Sequence, residues 1–355
     1  MPDARPSTLS SVLESIPPRC YENPTWRGVC WLLRDLTLYA LGLAALWRID
    51  HPGLLVPLWG FSALTIAALF IVGHDAAHGA LFRSRRLCYA LGQLAMLPSL
   101  HLYEAWVFGH NRIHHGHTAR EGMDYVWHPL TPSEYRALSP LGRLAHRVKW
   151  SWLGAGLYYI HEIWWQRMIR FRPNPKLRRL VHRDRIVVGS FAVVASGLLL
   201  WGGGSHYGTA AGALWMWLKL GIVPFLLFGQ IIGWAVYVHH ISPELRWHSR
   251  RDWDKFKGQV EGTTVLHAPR WLDFFLHGIL LHVPHHVDMR IPFYHLPEAE
   301  RALQQRWGEH IVERRLRLRD YLRATRECKL FDFERGTWMG YPCPPLQTTR
   351  ALPQG

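Results

Sequence analysis

The chain has 355 residues, of which 49% are apolar and only 19% charged, with 19 Trp and 23 His. Lys and Arg outnumber Asp and Glu by 41 to 26, a net charge of +15. Low charge with long apolar runs excludes a disordered chain and argues against a plain soluble domain, which leaves nucleic acid, an anionic membrane surface and a metal to be separated.

Up to about Arg27 the chain is polar and contains Asp3, Glu14 and Glu22. It lacks the apolar run and small-residue cleavage site of a signal peptide, and it is too acidic for a transit peptide. Apolar stretches follow at about 31–48 and 53–73, the second long enough to span a bilayer and free of charge. Arg34 and Asp35 lie near the start of the first, where opposite charges face an interface or pair inside a bundle. A second pair, about 186–201 and 220–238, is joined through a predicted Gly-rich turn at Gly202–Gly204. Trp215, Trp217 and Lys219 ahead of the fourth stretch read as an aromatic belt with a snorkelling lysine. From Pro297 to Thr325 the pattern predicts one or two charged helices on a solvated or membrane-surface face.

The predicted fold is therefore an all-α integral membrane protein, with four transmembrane helices in two hairpins and one domain over 1–355. The short connections carry a single basic residue, Arg48, whereas Ser139 to Arg185 carries eleven Lys and Arg against two acids. The positive-inside rule then puts 74–185, 239–355 and both termini in the cytoplasm, as a helical cap. Anionic phospholipid is the expected partner of the basic residues, and no motif for nucleic acid is visible. Cys20, Cys30, Cys88, Cys328 and Cys343 form no CxxC pair and read as reduced thiols.

The histidines carry the functional signal. Of the 23, only His51 precedes residue 74. His74 and His78 follow the second apolar stretch, four residues apart, so a helix would put both imidazoles on one face and within reach of one metal. His110, His114 and His115 repeat that spacing with one extra His, and His282, His285 and His286 form a third cluster. Eight imidazoles are too many for one tetrahedral zinc and suit two metals of five or six coordination. Imidazole accepts iron, copper, nickel and zinc alike, so ligand type alone does not select the metal. Asp75, Asp124 and Asp288 are placed either to orient ligand imidazoles or to cap helices.

Three such boxes, with HVPHHVDMRIPFYHL from His282, RWGEHIVER, CKLFDFERG, EGTTVLHAPRWLDFFLHGILLHVPHH, and SIPPRCYENPTWRG with LLRDL near the N-terminus, resemble the membrane fatty-acid desaturases. The similarity is greatest to the acyl-lipid delta-12 (omega-6) desaturases of bacteria and plastids. Two departures stand out: Ala76-Ala77 replaces the Cys-Gly of close relatives, and the second box has three residues before its His pair instead of two. The resemblance implies a di-iron, O2-dependent enzyme that introduces a cis double bond into a lipid- or carrier-linked acyl chain. It implies His74, His78, His110, His114, His115, His282, His285 and His286 as catalytic metal ligands. It also implies a further ligand just after the fourth span, for which His240 and His239 are both candidates. Ferredoxin is the implied electron donor, with cytochrome b5 or rubredoxin as alternatives, and the bacterial cytoplasmic membrane is the implied location.

Breaking an unactivated C–H bond does require a metal that activates oxygen. Acyl hydroxylation or acetylenation by the same centre is the near alternative, and a His-rich metal transporter or sensor the remote one. A transporter should place ligands in mid-span, and 53–73 and 220–238 hold none. His51-Pro52-Gly53 lies in a short connection, and His161-Glu162 lacks the second His of a zinc-protease motif.

Overall fold

The computed structural model describes residues 8–342, so Asp3 and Cys343 lie outside the described residues. Four helices are long and apolar enough to cross a membrane: Thr25–Arg48, Pro52–Ala77, Arg178–Tyr207 and Ala210–His240. All four predicted spans are present, and each helix outruns its apolar stretch. An apolar run marks the residues suited to lipid, whereas backbone hydrogen bonding continues until a cap or a turn residue stops it.

The third helix shows this most clearly, because it passes straight through Gly202–Gly204, where the sequence predicts the turn. Those glycines serve packing: a Cβ at Gly202 would come within 2.4 Å of Trp47, and one at Gly203 within 2.4 Å of Met216. Small residues let helices approach closely. The chain turns at Gly208 instead, whose φ of +71° lies in the left-handed region that glycine tolerates.

Lys219 corrects a second expectation. It does not snorkel from the start of a span; it lies inside the fourth helix, fully buried. Its ammonium donates to Asp50 Oδ1 at 2.7 Å and to the Tyr207 hydroxyl at 2.8 Å. Tyr207 and the Trp215 indole also donate to Asp50. One carboxylate in the first connection thus ties both helix pairs together at the end remote from the histidines.

Between the second and third spans lie the helices Arg85–Met96, Tyr103–Trp106 and Pro140–Lys149, and two π-helical segments, Val107–His114 and Tyr159–Ile169. Beyond the fourth span the fold departs from all-α. Thr264–His267 pairs in parallel with Val312–Arg315, and Leu330–Asp332 pairs antiparallel with Thr337–Met339. The predicted charged helices are Leu296–Trp307 and Leu318–Glu327, but the intervening VERR is a strand. Its ladder with Thr264–His267 overrides helix propensity, as tertiary pairing commonly does. Thr263 and Thr264 donate from their hydroxyls to the carbonyls of His239 and Val238. The end of the fourth span is thereby capped by the segment leading to the third His cluster.

Removing one partner of a buried charge leaves the other unpaired, at a cost of about 3–5 kcal/mol. Asp50→Ala should therefore destabilise the protein by about 3 kcal/mol, the low end because the Tyr207 hydroxyl remains beside Lys219. Thermal unfolding in detergent would read this, and Asp50→Ala with Lys219→Met should recover most of the loss.

Candidate metal centre

The last turn of the second span, the π-helical Val107–His114 and the short helix His282–Val287 converge at one end of the bundle, with the end of the fourth span beside them. They bring nine imidazoles into two adjoining groups. His74, His78, His110, His115 and His285 each place a ring nitrogen within 4.8 Å of the others. His114, His240, His282 and His286 do the same. The groups touch where the rings of His115 and His286 stack, 4.3 Å between centroids. Eight of the nine rings are buried and His78 is half-buried.

This partition differs from simple pairing by spacing. His74 and His78 share a group, as an α-helical interval of four predicts. His110 and His114 do not, although their interval is the same. Their segment is π-helical, so residues five apart align and His110 joins His115 while His114 turns to the other group. In the third cluster, His282 and His286 stay together and His285 crosses over. At the end of the fourth span the geometry separates two adjacent candidates. His240 enters the second group, whereas His239 lies outside both and stacks on His282, with a centroid distance of 3.7 Å. Neighbouring residues on a helix point about 100° apart, so the two rings face different ways.

Hydrogen bonds fix which nitrogen five of the nine rings offer. His74 Nδ1 donates to Asp75 Oδ1 at 3.0 Å, and His114 Nδ1 to Asp124 Oδ1 at 2.9 Å. His282 Nδ1 donates to the Ile279 carbonyl, His286 Nδ1 to Gln259 Oε1 and His240 Nδ1 to the Gly262 carbonyl. A neutral imidazole with its proton on Nδ1 leaves Nε2 as a lone pair. Where both partners are fixed in this way the lone pairs face one another: His282 Nε2 lies 3.1 Å from His286 Nε2. Burial, reinforced by neighbouring imidazoles, holds His110, His115, His282, His285 and His286 well below the usual histidine range. Buried imidazole nitrogens that converge on one another are what a cation requires. The residues present fit a metal cofactor.

Asp75 and Asp124 therefore orient imidazoles, as one of their two sequence readings holds. Asp75 is itself fixed by the Phe293 amide, which donates to its Oδ2 at 2.7 Å. Asp288 instead pairs with Arg290 at 2.6 Å and, among the described residues, bonds to no imidazole. Gln259 and Thr118 escaped the sequence reading. They contact His286, yet neither stands at a spacing that marks it as part of the site. Of the remaining motifs, His161 sits at the surface against Glu162, and His51 is exposed at the start of the second span.

An apolar cavity runs up to the histidines. Phe70, Ile71, Ile163 and Val236 line it, and His74 and His240 stand in its wall. The arrangement presents a cluster able to hold metal to a mainly apolar space.

Residues 51–317 match the family described as fatty acid desaturase. The chloroplastic omega-6 fatty acid desaturase of Glycine max is 28% identical over 330 residues, 92% of this chain and 74% of that one. The sn-1 oleoyl-lipid 12-desaturase of Synechocystis sp. is 26% identical over 336 residues, covering 92% of this chain and 90% of its own. Its counterpart from Picosynechococcus sp. is 28% identical over 335 residues with the same coverage of 92% and 90%.

Loss of a carboxylate that orients a ligand histidine typically weakens metal binding 10- to 100-fold. Asp124→Ala should fall in that range, as read by metal content after titration with a chelator, and Asp288→Ala should retain the wild-type metal content.

Proposed function

Because the chain belongs to the fatty acid desaturase family, we propose that it is an O2-dependent acyl-lipid desaturase with two irons, forming a cis double bond of the delta-12 (omega-6) type. The protein is an integral membrane oxidoreductase acting on fatty acyl chains. The observation that carries the finer reading is the pair of adjoining all-imidazole groups in the wall of an apolar cavity. The names of the relatives, omega-6 and sn-1 oleoyl-lipid 12-desaturase, support the position of the double bond and the lipid-linked form of the substrate.

His74, His78, His110, His115 and His285 would hold one metal, and His114, His240, His282 and His286 the other. Five imidazoles exceed the four positions of tetrahedral zinc and fit the larger coordination number of iron. Bound there, the irons supply the oxygen-activating chemistry that cleavage of an unactivated C–H bond needs. The chain's own residues do the rest. Asp75, Asp124 and Gln259 hold His74, His114 and His286 with Nε2 turned inward. Phe70, Ile71 and Val236 receive the acyl chain and keep water out. Electrons come from a separate carrier, for which ferredoxin is the reading, since the sequence holds no CxxCH or ferredoxin Cys set. The excess of Lys and Arg around the histidine end supports a cytoplasmic face in a bacterial cytoplasmic membrane, with 1–355 as one desaturase domain.

Expression in a host that makes only saturated and monounsaturated lipids, followed by gas chromatography of fatty-acid methyl esters, should yield a new dienoic acid. A hydroxy or acetylenic product would overturn the reading. Purified protein should carry close to two irons per chain, and His114→Ala should abolish activity and lose part of the iron. One zinc per chain would exclude the proposed centre.

A further inference from the structure

One charged residue stands on the inward face of the helix Leu296–Trp307. The buried positions of that helix are Leu296, Ala299, Glu300, Leu303 and Trp307, spaced at three and four residues along one stripe. Four of them are apolar and belong to the core, whereas the fifth is a carboxylate that is only 6% exposed. Among the described residues, Glu300 makes no ion pair and its side chain accepts no hydrogen bond. Arg301, next in the chain, turns its Nε to the Pro297 carbonyl at 3.0 Å. A buried charge without a partner is costly, and folded chains resolve it by pairing the charge or by coordinating a metal.

Glu300 meets two ligand-type side chains on the parallel ladder. Thr264–His267 and Val312–Arg315 pair with Val265 opposite Glu313 and His267 opposite Arg315. Side chains alternate along a strand, so His267 and Glu313 emerge on one face. There His267 Nε2 bonds to Glu313 Oε1. A carboxylate oxygen of Glu300 joins them, and one ligand atom from each of the three residues lies within 4.8 Å of the other two. This group shares no residue with the nine imidazoles of the metal centre.

The charge of the group is not balanced from nearby. Arg315 shares the face but is exposed, and among the described residues no Lys or Arg bonds to Glu300 or Glu313. Burial and the neighbouring Glu313 push the Glu300 carboxyl above its ordinary range, and His267 and Arg301 draw it only part of the way back. Asp273 brings a further carboxylate close to His267. Two carboxylates and a neutral imidazole that converge in this way suit a divalent cation.

We propose that His267, Glu300 and Glu313 form a zinc site, separate from the histidine centre, that clamps the helix Leu296–Trp307 to the two-stranded ladder. One imidazole nitrogen and two carboxylate oxygens are ligands that zinc accepts, with a fourth position left for water. The order of divalent affinities favours zinc over manganese for such a set. The clamp bears on the third His cluster. The Leu266 amide, beside His267, donates to the Leu280 carbonyl at 2.9 Å, and Leu280 lies two residues before His282. An ion at this site therefore braces the strand to which that cluster is bonded. The proposal does not rest on the desaturase reading.

The test is equilibrium dialysis of purified full-length protein, its histidine centre loaded with iron, against Zn2+. Wild type, Glu300→Gln and His267→Ala are compared for zinc and iron content. Wild type should hold one zinc per chain more than either variant, with equal iron in all three. Each variant should weaken zinc binding at this site by at least ~10-fold, because losing even a residue that only orients a ligand costs about 10- to 100-fold. Glu300→Gln removes the unpaired charge and keeps the shape, so without zinc it should be at least as stable as wild type. Zinc at about 100 times its Kd should raise the unfolding temperature of wild type by roughly 4 °C and leave both variants where they are. Equal zinc in wild type and Glu300→Gln, or an equal thermal shift in the two, would overturn the proposal. All three proteins keep the nine imidazoles, so the difference in zinc is read in the same way even if the desaturase reading fails.

Discussion

Nine imidazoles are packed so that their ring nitrogens confront one another, and the acceptor nitrogens of His282 and His286 lie 3.1 Å apart. Two lone pairs at that distance repel, and burial denies them water, so the arrangement is unfavourable until a cation lies between them. A chain that folds this way must fix the rings from outside the cluster. It does so with acceptors on the far nitrogens: the carboxylates of Asp75 and Asp124, the Gln259 amide, and the carbonyls of Ile279 and Gly262. Each forces one tautomer and one ring direction. Much of the surrounding architecture holds these acceptors in place.

That support extends well beyond the site. Asp75 is held by the Phe293 amide, and the Phe293 ring lies against His277, 4.4 Å between centroids. His277 donates to Asp35 at 2.8 Å, and Arg34 donates to the same carboxylate at 2.6 Å. The charged pair near the start of the first span is thus a buried joint between that span and the segment before the third His cluster. At the opposite end, Asp50 gathers Lys219, Tyr207 and Trp215 and locks the two connections to each other. Charges within the spans are few, and those that are buried act as fasteners. Burying an ion pair contributes little net stability, but misplacing one is costly, which makes such joints selective for a single arrangement of helices.

The functional logic follows from solvent. A fatty acyl chain is as apolar as the bilayer, and the apolar cavity leads to the imidazoles. The amphipathic helix Pro140–Lys149 turns Gly142 and Ala145 to a cavity of about 750 Å³ and leaves Leu141 and Leu144 exposed on its other side. Helical periodicity allows one segment to serve both environments.

Local patterns determined a great deal here. Apolar runs fixed the four spans, the excess of Lys and Arg distinguished the two ends, and His spacing marked eight of the nine imidazoles that come together, leaving the ninth as a choice between two neighbours. These features are legible because hydropathy and short intervals are properties of contiguous residues. Only the tertiary structure decided how the nine divide. A π-helical turn moves His114 away from His110, His285 crosses to the group of His74, and helix phase admits His240 while excluding His239. It likewise turned Gly202–Gly204 from a bend into a contact surface and Lys219 from a membrane anchor into a buried cation paired with Asp50. Gln259 had no local mark at all. In each case the role was set by a partner far away in the chain, such as Trp47, Asp50 or His286, and distant contacts leave no periodic trace in sequence.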